Sequence, residues 1–334
     1  MRHVLAKIFL WSMACTLVVF TLANPVLART LNVNCNDRDE TITKALTKAG
    51  PGDTIRVEGT CKEVVVITTD RLTLEGRDNA ILDGEGVDLG SEAGLLTIES
   101  ARGFVITGTL TVQKSAAVGI IVRNNANASF RGSIVSRDNG NHGILVINSA
   151  HVGFDAGSVE VIDNGGDGVP VVNGASAFIP PPPAGAVLTS NGNQRGIHII
   201  NGASFEALGG AINAAENQLN GITVALGSDL FIAAGTQVSL QGNPQGLNIE
   251  SNSQALISSP TTITGNTAVG VSVQAGFINL SGATITDNGS MDAGPDIDLG
   301  FGTRAHLTGN TIGILNCDET VLLSSTSDVA CPAP

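Results

Sequence analysis

The chain has 334 residues, with 30 Asp and Glu against 17 Lys and Arg, a formal net charge of −13. It contains one Trp and no Tyr. An acidic chain with few cations can neither neutralise phosphate nor be steered to it, which argues against nucleic acid and anionic membrane as partners.

In chain order, the first element is a targeting segment. Arg2 and Lys7 precede an apolar run from Ile8 to Leu22, and "NPVLA" leads to Arg29. Val26 and Ala28 satisfy the small-residue rule for cleavage, so residues 1–28 read as a secretory signal. A retained anchor fits the Pro25–Ala28 exit less well, and "SMAC" around Cys15 is a poor lipoprotein signal. Cleavage would remove Arg2, Lys7 and Trp11 and take the charge to −15. The expected product is a secreted protein, extracellular or periplasmic, with no membrane association. Its four cysteines form one pair near each end, and sequence proximity favours Cys35–Cys61 and Cys317–Cys331 disulfides. With no C-x-x-C and no clustered His beside them, a metal site is not expected.

The next segment, "DETITKALTKAGPGDTIRVEG", places Ile42, Ala45, Leu46 and Ala49 on one helical face, ended by Gly50-Pro51. It predicts a short N-terminal capping helix within residues 29–53. From there the chain repeats. Gly119-Ile120, Gly143-Ile144, Gly168-Val169, Gly196-Ile197, Gly221-Ile222, Gly246-Leu247 and Gly270-Val271 follow at steps of 24, 25, 28, 25, 25 and 24 residues. An Asn closes each line, at 139, 164, 191, 217, 243, 266, 288 and 310. Alternating runs such as "GITV", "DLFI" and "QVSL" are strands, and Gly, Asn and Ser mark the bends. Three short strands in about 25 residues bury a face only by stacking on like neighbours, which is the logic of a solenoid.

Stacking makes columns. Phe104, Phe130, Phe154, Phe178, Phe205, Phe231 and Phe277, with Leu256 in one coil, are expected to form an interior ladder, and Phe301 lies off phase. Asn124, Asn148, Asn173 and Asn201 are expected to form a ladder of turn amides. "IPPPPAG" at 179–185 accounts for the 28-residue step as a stiff loop pushed out of one coil. Counting by twos past each Gly, Ile121, Arg123, Leu145, Ile147, Pro170, Val172, His198, Ile200, Thr223 and Ala225 point outward. That is an apolar stripe suited to a partner or to self-association, unless the 179–185 loop covers it.

"AGPGDTIRVEGTCKEVVVITTDRLTLEGRDNAILDG", followed by the N-x-x-x-G-I/V coils, resembles the pectin-lyase-like family over about residues 30–316. The resemblance implies an all-β, single-stranded, right-handed parallel β-helix of about ten coils with disulfide-tied ends. The expected organisation is signal (1–28), N-terminal cap (29–53), β-helix (54–316) and C-terminal tail (317–334). The family includes polysaccharide lyases, epimerases and hydrolases as well as adhesins, so the fold does not choose a function. Of the polygalacturonase motifs only "NHG" at 141–143 is present, and no signature of the calcium-dependent lyases stands out. No cofactor is expected; calcium between Asp138 and Asp163 is open to the residues but has no signature to support it.

One constellation carries chemistry. The residue before the repeat Gly is His142, Asp167 and Arg195 in successive coils, and Asp138 and Asp163 sit at the preceding Asn turns. An acid, a base and a cation on one strip suit proton transfer on a sugar. Here Arg195 would meet a carboxylate, His142 would shuttle the proton and Asp167 would orient it, with Asp138 and Asp163 as substrate-binding candidates. Against this, the column is an exposed turn, and the expectation is that the three side chains splay apart. With no Trp or Tyr beyond the signal and seven of its eight Phe assigned inward, no sugar-stacking platform is evident. The sequence by itself therefore favours a non-catalytic binding, surface or matrix protein. The alternative is an enzyme acting on an extracellular polysaccharide.

Overall fold

The structure is a computed structural model. It describes residues 27–90, 93–289, 294–326 and 329–331, so the expected signal lies almost wholly outside the described residues.

The repeat builds a parallel β-helix of about eleven coils, one for each strand of an 11-stranded parallel sheet running from Val65–Ile67 to Leu315–Cys317. One coil shows the plan. Ile144–Ile147 lies in that sheet, His151–Phe154 in the first half of a 22-stranded sheet, and Ser158–Ile162 in its second half. The halves are one sheet because Thr73–Asp83 and Phe104–Gln113 run through both, with a register shift between Gly76 and Ala80. Alternation sends Ile120, Val122, Ile144, Val146, Val169, Val171, Ile197 and Ile199 into one continuous core. Each pairs with its counterpart in the next coil, so the core is a stack of like side chains.

The Asn and Gly of the repeat belong together. Asn139 Nδ2 donates to Asn164 Oδ1 (2.8 Å), Asn164 Nδ2 to Asn193 Oδ1 (2.9 Å), Asn217 Nδ2 to Asn243 Oδ1 (3.0 Å) and Asn266 Nδ2 to Asn288 Oδ1 (2.8 Å). The ladder ends on Asp296, whose Oδ1 accepts from Asn288 Nδ2 at 2.9 Å. The column uses Asn193 in place of Asn191, whose side chain instead accepts from the Ala215 N–H. A Cβ on Gly143 would lie 2.9 Å from Asn164 Nδ2 and 2.9 Å from the Gly168 carbonyl oxygen. The Gly therefore leaves room for the buried amide and for Val161, whose Cγ1 is the nearest atom such a Cβ would meet. Asn217→Ala would leave the Asn193 N–H, the Ser190 carbonyl and Asn243 Oδ1 each short of a partner. At about 1–3 kcal/mol for a buried group left unpaired, a clear fall in the urea midpoint is expected. An unchanged midpoint would contradict the ladder's structural role.

The second Asn column forms as expected. Asn148 donates to Asn124 (3.1 Å), Asn173 to Asn148 (3.3 Å) and Asn201 to Asn173 (2.8 Å). All four have φ between 55° and 65°, a region Asn tolerates better than other non-glycine residues.

The Phe ladder holds in part. Phe104, Phe130, Phe154 and Phe205 are fully buried, with Phe130–Phe154 ring centroids 5.8 Å apart and Phe154–Phe205 6.4 Å apart. Phe178 and Phe231 face outward, and Phe277 is half-buried. Phe178 pairs with Gly153, while Phe154 belongs to the inward row. A slip of one residue on a period of two moves a side chain to the other face.

Both disulfides pair as expected, Cys35–Cys61 and Cys317–Cys331. The capping helix is not evident as expected. The only helix among the described residues is one turn, Ile42–Leu46, too short to stand alone. Thr41 Oγ1 accepts from the Lys44 N–H, the Glu63 carboxylate accepts from the Ile42 and Thr43 N–H groups, and Ile42 is buried. The edge is extended by a strand instead, since Thr30–Asn34 pairs in register with Thr54–Glu58. Residues 181–184 of the proline loop are exposed. The loop sits at the corner between the two half-sheets, where Pro182 approaches Gly209, and not over the 11-stranded sheet.

Candidate functional site

The strip before the repeat Gly does not splay. Asp167 is buried, 4 % exposed, at the end of the turn that enters Val169–Val172. Its backbone N–H donates to His142 Nδ1 of the previous coil at 2.9 Å. Arg195 Nη1 of the next coil donates to Asp167 Oδ1 at 3.2 Å. His198 Nδ1 lies 2.8 Å from Asp167 Oδ2. Four residues from three coils meet because the coils stack in register at about 4.8 Å. The Gly165-Gly166 dipeptide opens the space, since a Cβ on Gly166 would lie 2.8 Å from His142 Nδ1.

His198 is the member that sequence reasoning did not assign. It appeared only as an outward residue of the strand Arg195–Ile200. The signal was available: an outward His two residues past the repeat Gly, one coil after an Asp that precedes its own repeat Gly. Pro170 pairs with His198, which places the imidazole diagonally over Asp167.

The other candidates stay apart from this cluster. Asp138 and Asp163 occupy exposed left-handed turns with φ of 55° and 54°. Neither carboxylate bonds to His142, Asp167 or Arg195 among the described residues, and Asp138 faces Arg137 at 3.8 Å. They flank the Asn ladder rather than the cluster, because the turn reverses the chain between them and the repeat Gly. The outward stripe is also less open than expected. Ile121, Pro170, Thr223 and Ala225 are buried, whereas Arg123, Leu145, Ile147, Val172, His198 and Ile200 are half-buried.

The electrostatics are those of a partly desolvated acid–base cluster. Burial works to push the Asp167 carboxyl up, but the His198 hydrogen bond and the charges of His198, Arg195 and His142 outweigh it, and the net shift is down. Asp167 therefore stays ionised at neutral pH. Burial lowers His142 below the usual imidazole range, against the pull of Asp167. His142 is then neutral near pH 7. Because Nδ1 accepts a hydrogen bond, its proton sits on Nε2. Asp167 can only accept, so His198 Nδ1 donates to it and Nε2 is the ring nitrogen left over from this contact. Arg195 Nε is buried with no hydrogen-bond partner among the described residues, so only part of its fork is used.

The His142 shift has a consequence for stability. Its folded pKa lies below the unfolded value of about 6.5, so between the two the unfolded chain binds a proton the native state does not. Stability present above about pH 6.5 is expected to fall on acidification through that window. His142→Gln keeps an acceptor for the Asp167 N–H and removes the titration. Its melting temperature should drop less between pH 7 and pH 5 than that of the wild type, and identical slopes would refute the burial argument. His151, also lowered by burial, contributes equally to both proteins.

One group of potential metal ligands, Cys35, Cys61 and Glu63, lies close together among the described residues. The two sulfurs are joined in the disulfide and Glu63 receives the helix N–H groups, so the set is committed to structure. No helix among the described residues is long and apolar enough to cross a membrane.

No protein-family model and no curated protein matches the chain. Among solved structures it is similar to the A-module of the mannuronan C-5 epimerase AlgE4 of Azotobacter vinelandii, with 17 % identity and a TM-score of 0.53 over 83 % of this chain and 82 % of that one. The AlgE6 A-module of the same organism is similar at 17 % identity and a TM-score of 0.50, over 85 % and 84 %. The chain shares the parallel β-helix fold with these two modules. Identity this low speaks to the fold alone.

Proposed function

We propose that the protein is an exported polysaccharide-active enzyme that moves a proton on a uronate unit, in the manner of a lyase or C-5 epimerase. The observation that carries this reading is the convergence of His142, Arg195 and His198 on the buried Asp167. Splayed side chains were one ground for a non-catalytic reading, beside the missing family signatures, and the side chains converge instead. Abstraction of a proton next to a carboxylate needs a positive group on the carboxylate, a base at the carbon and a donor for the leaving oxygen or the opposite face. Arg195 supplies the first, with guanidinium N–H groups left over from its contact with Asp167. His198 Nε2 supplies the second, oriented by the Asp167–Nδ1 hydrogen bond. His142 Nε2–H supplies the third. The two mannuronan epimerase modules of like fold make polyuronate a natural substrate class to try, and the disulfides suit an oxidising compartment.

A second reading has its own observation. Both oxygens of Asp167 are already engaged by the chain itself, as they would be in a structural ion cluster. The half-buried apolar residues Leu145, Ile147, Val172 and Ile200 then make the same face a binding or self-association surface. The experiment is to incubate the protein with polymannuronate, polyguluronate and polygalacturonate, with and without calcium. Unsaturated uronate is read by ultraviolet absorbance and C-5 inversion by proton NMR. Turnover of any one supports the enzyme reading, and silence across the panel leaves the structural cluster as the better account.

A further inference from the structure

The corner between the 11-stranded sheet and the first half-sheet carries one column of left-handed turns. In the earlier coils the position is Asn124, Asn148, Asn173 and Asn201. In the later ones it is Leu226, Ser251, Ala275 and Phe301, with φ of 53°, 56°, 53° and 52°. A bulky side chain in this region is strained, and such strain persists only where surrounding contacts hold it. Phe301 is held. Its N–H donates to Asp318 Oδ2 at 2.7 Å, and the Gly302 N–H donates to Thr320 Oγ1 at 2.6 Å. The ring so placed is 76 % exposed. The chain thus maintains an open aromatic surface in an unfavourable backbone conformation.

Beside this ring lies a cavity of about 500 Å³ lined by Phe277, Phe301, Asp229, Asn252, Gln254 and Arg304. Gln254 Nε2 donates to Asp229 Oδ1 at 2.8 Å, which leaves Asp229 Oδ2 and Gln254 Oε1 as acceptors. The Arg304 guanidinium makes no hydrogen bond or ion pair with any described residue. We infer that this cavity binds a pyranose unit of a neutral saccharide. The Phe rings meet the apolar C–H face of the sugar, the carboxylate and amide oxygens accept its hydroxyl protons, and Arg304 and Asn252 donate to its oxygens. Asp229 and Arg304 offset each other in charge, so this lining suits a neutral sugar rather than a uronate. The site lies on a different corner from the His142–Asp167–Arg195–His198 cluster and goes beyond the proton-transfer reading.

The test is titration calorimetry of the purified protein with cellohexaose, mannohexaose and hexagalacturonate. Saturable binding of a neutral hexasaccharide is expected. It should weaken at least about tenfold in Arg304→Gln and in Phe301→Gly, the latter a residue that suits the positive φ and so keeps the turn. His198→Ala should bind as the wild type does. Four results would overturn the inference: no saturable binding of either neutral sugar, wild-type affinity in Phe301→Gly, binding of hexagalacturonate alone, or a Phe301-dependent dimer in sedimentation without sugar. The last would mark the corner as a contact between two copies. Polyuronate turnover without neutral-sugar binding sinks this site only, and the converse sinks only the proton-transfer reading.

Discussion

Phe154→Ala is expected to lower stability by about 3–5 kcal/mol, while Phe178→Ala, one coil further on, should cost less than half as much. Phe154 is 0 % exposed and lies between the rings of Phe130 and Phe205. Truncation removes its burial and leaves a void that stacked coils cannot close, because each coil is held in register by the ladders above and below it. Phe178 pairs with Gly153 on the outer row, so its loss opens no cavity. Urea unfolding of the two variants gives both numbers, with hydrogen exchange to show whether the loss is confined to the coils around residue 154. Equal losses would place the inward register one residue away from where it is described.

The second large effect is on turnover. His198→Ala should reduce any polyuronate turnover by about 10²–10⁴-fold, the usual contribution of one acid–base group. Arg195→Gln should raise KM as well as lower kcat, because it removes a contact to the substrate carboxylate in both ground and transition states. His198→Ala leaves Asp167 paired with Arg195 and hydrogen-bonded into the same turn, so the fold should persist. Asp167→Ala is the contrasting variant. It removes the group on which both neighbours converge, and it should lose stability as well as turnover. Full activity in His198→Ala would end the proposed role of that residue. A loss of stability in all of these variants, with no turnover in the wild type, would identify the cluster as structural.

Much of the architecture was legible because a solenoid writes its geometry in one dimension. The steps of 24 to 28 residues define the coil, and the left-handed Asn column follows from adding one coil at a time. The Phe column shows the limit of that reasoning. A 28-residue step and coils of unequal turn length allow slips of one residue that a repeat count cannot see, and each slip exchanges inside for outside. Phe178 and Phe231 were misplaced for this reason. Phe301, off phase with the ladder, is a surface ring whose exposure the repeat count does not specify.

The candidate site divides the same way. The column His142, Asp167, Arg195 was visible as three ionisable residues at one repeat position, but whether they converge depends on side-chain directions at a turn. His142 folds back over the Gly166–Asp167 backbone, Arg195 reaches across one coil, and His198 comes from a strand position that alternation assigns only to the outer face. The sequence by itself determined the parallel β-helix, the two disulfide pairs and the turn-Asn ladder, because each depends on periodicity or proximity along the chain. Only the tertiary structure decided that Asp167 is buried among two imidazoles and a guanidinium, that Asn193 rather than Asn191 continues the inner ladder, and that Phe301 stands in solvent. These depend on register across coils, where a shift of a single residue reverses which side of the sheet a side chain occupies.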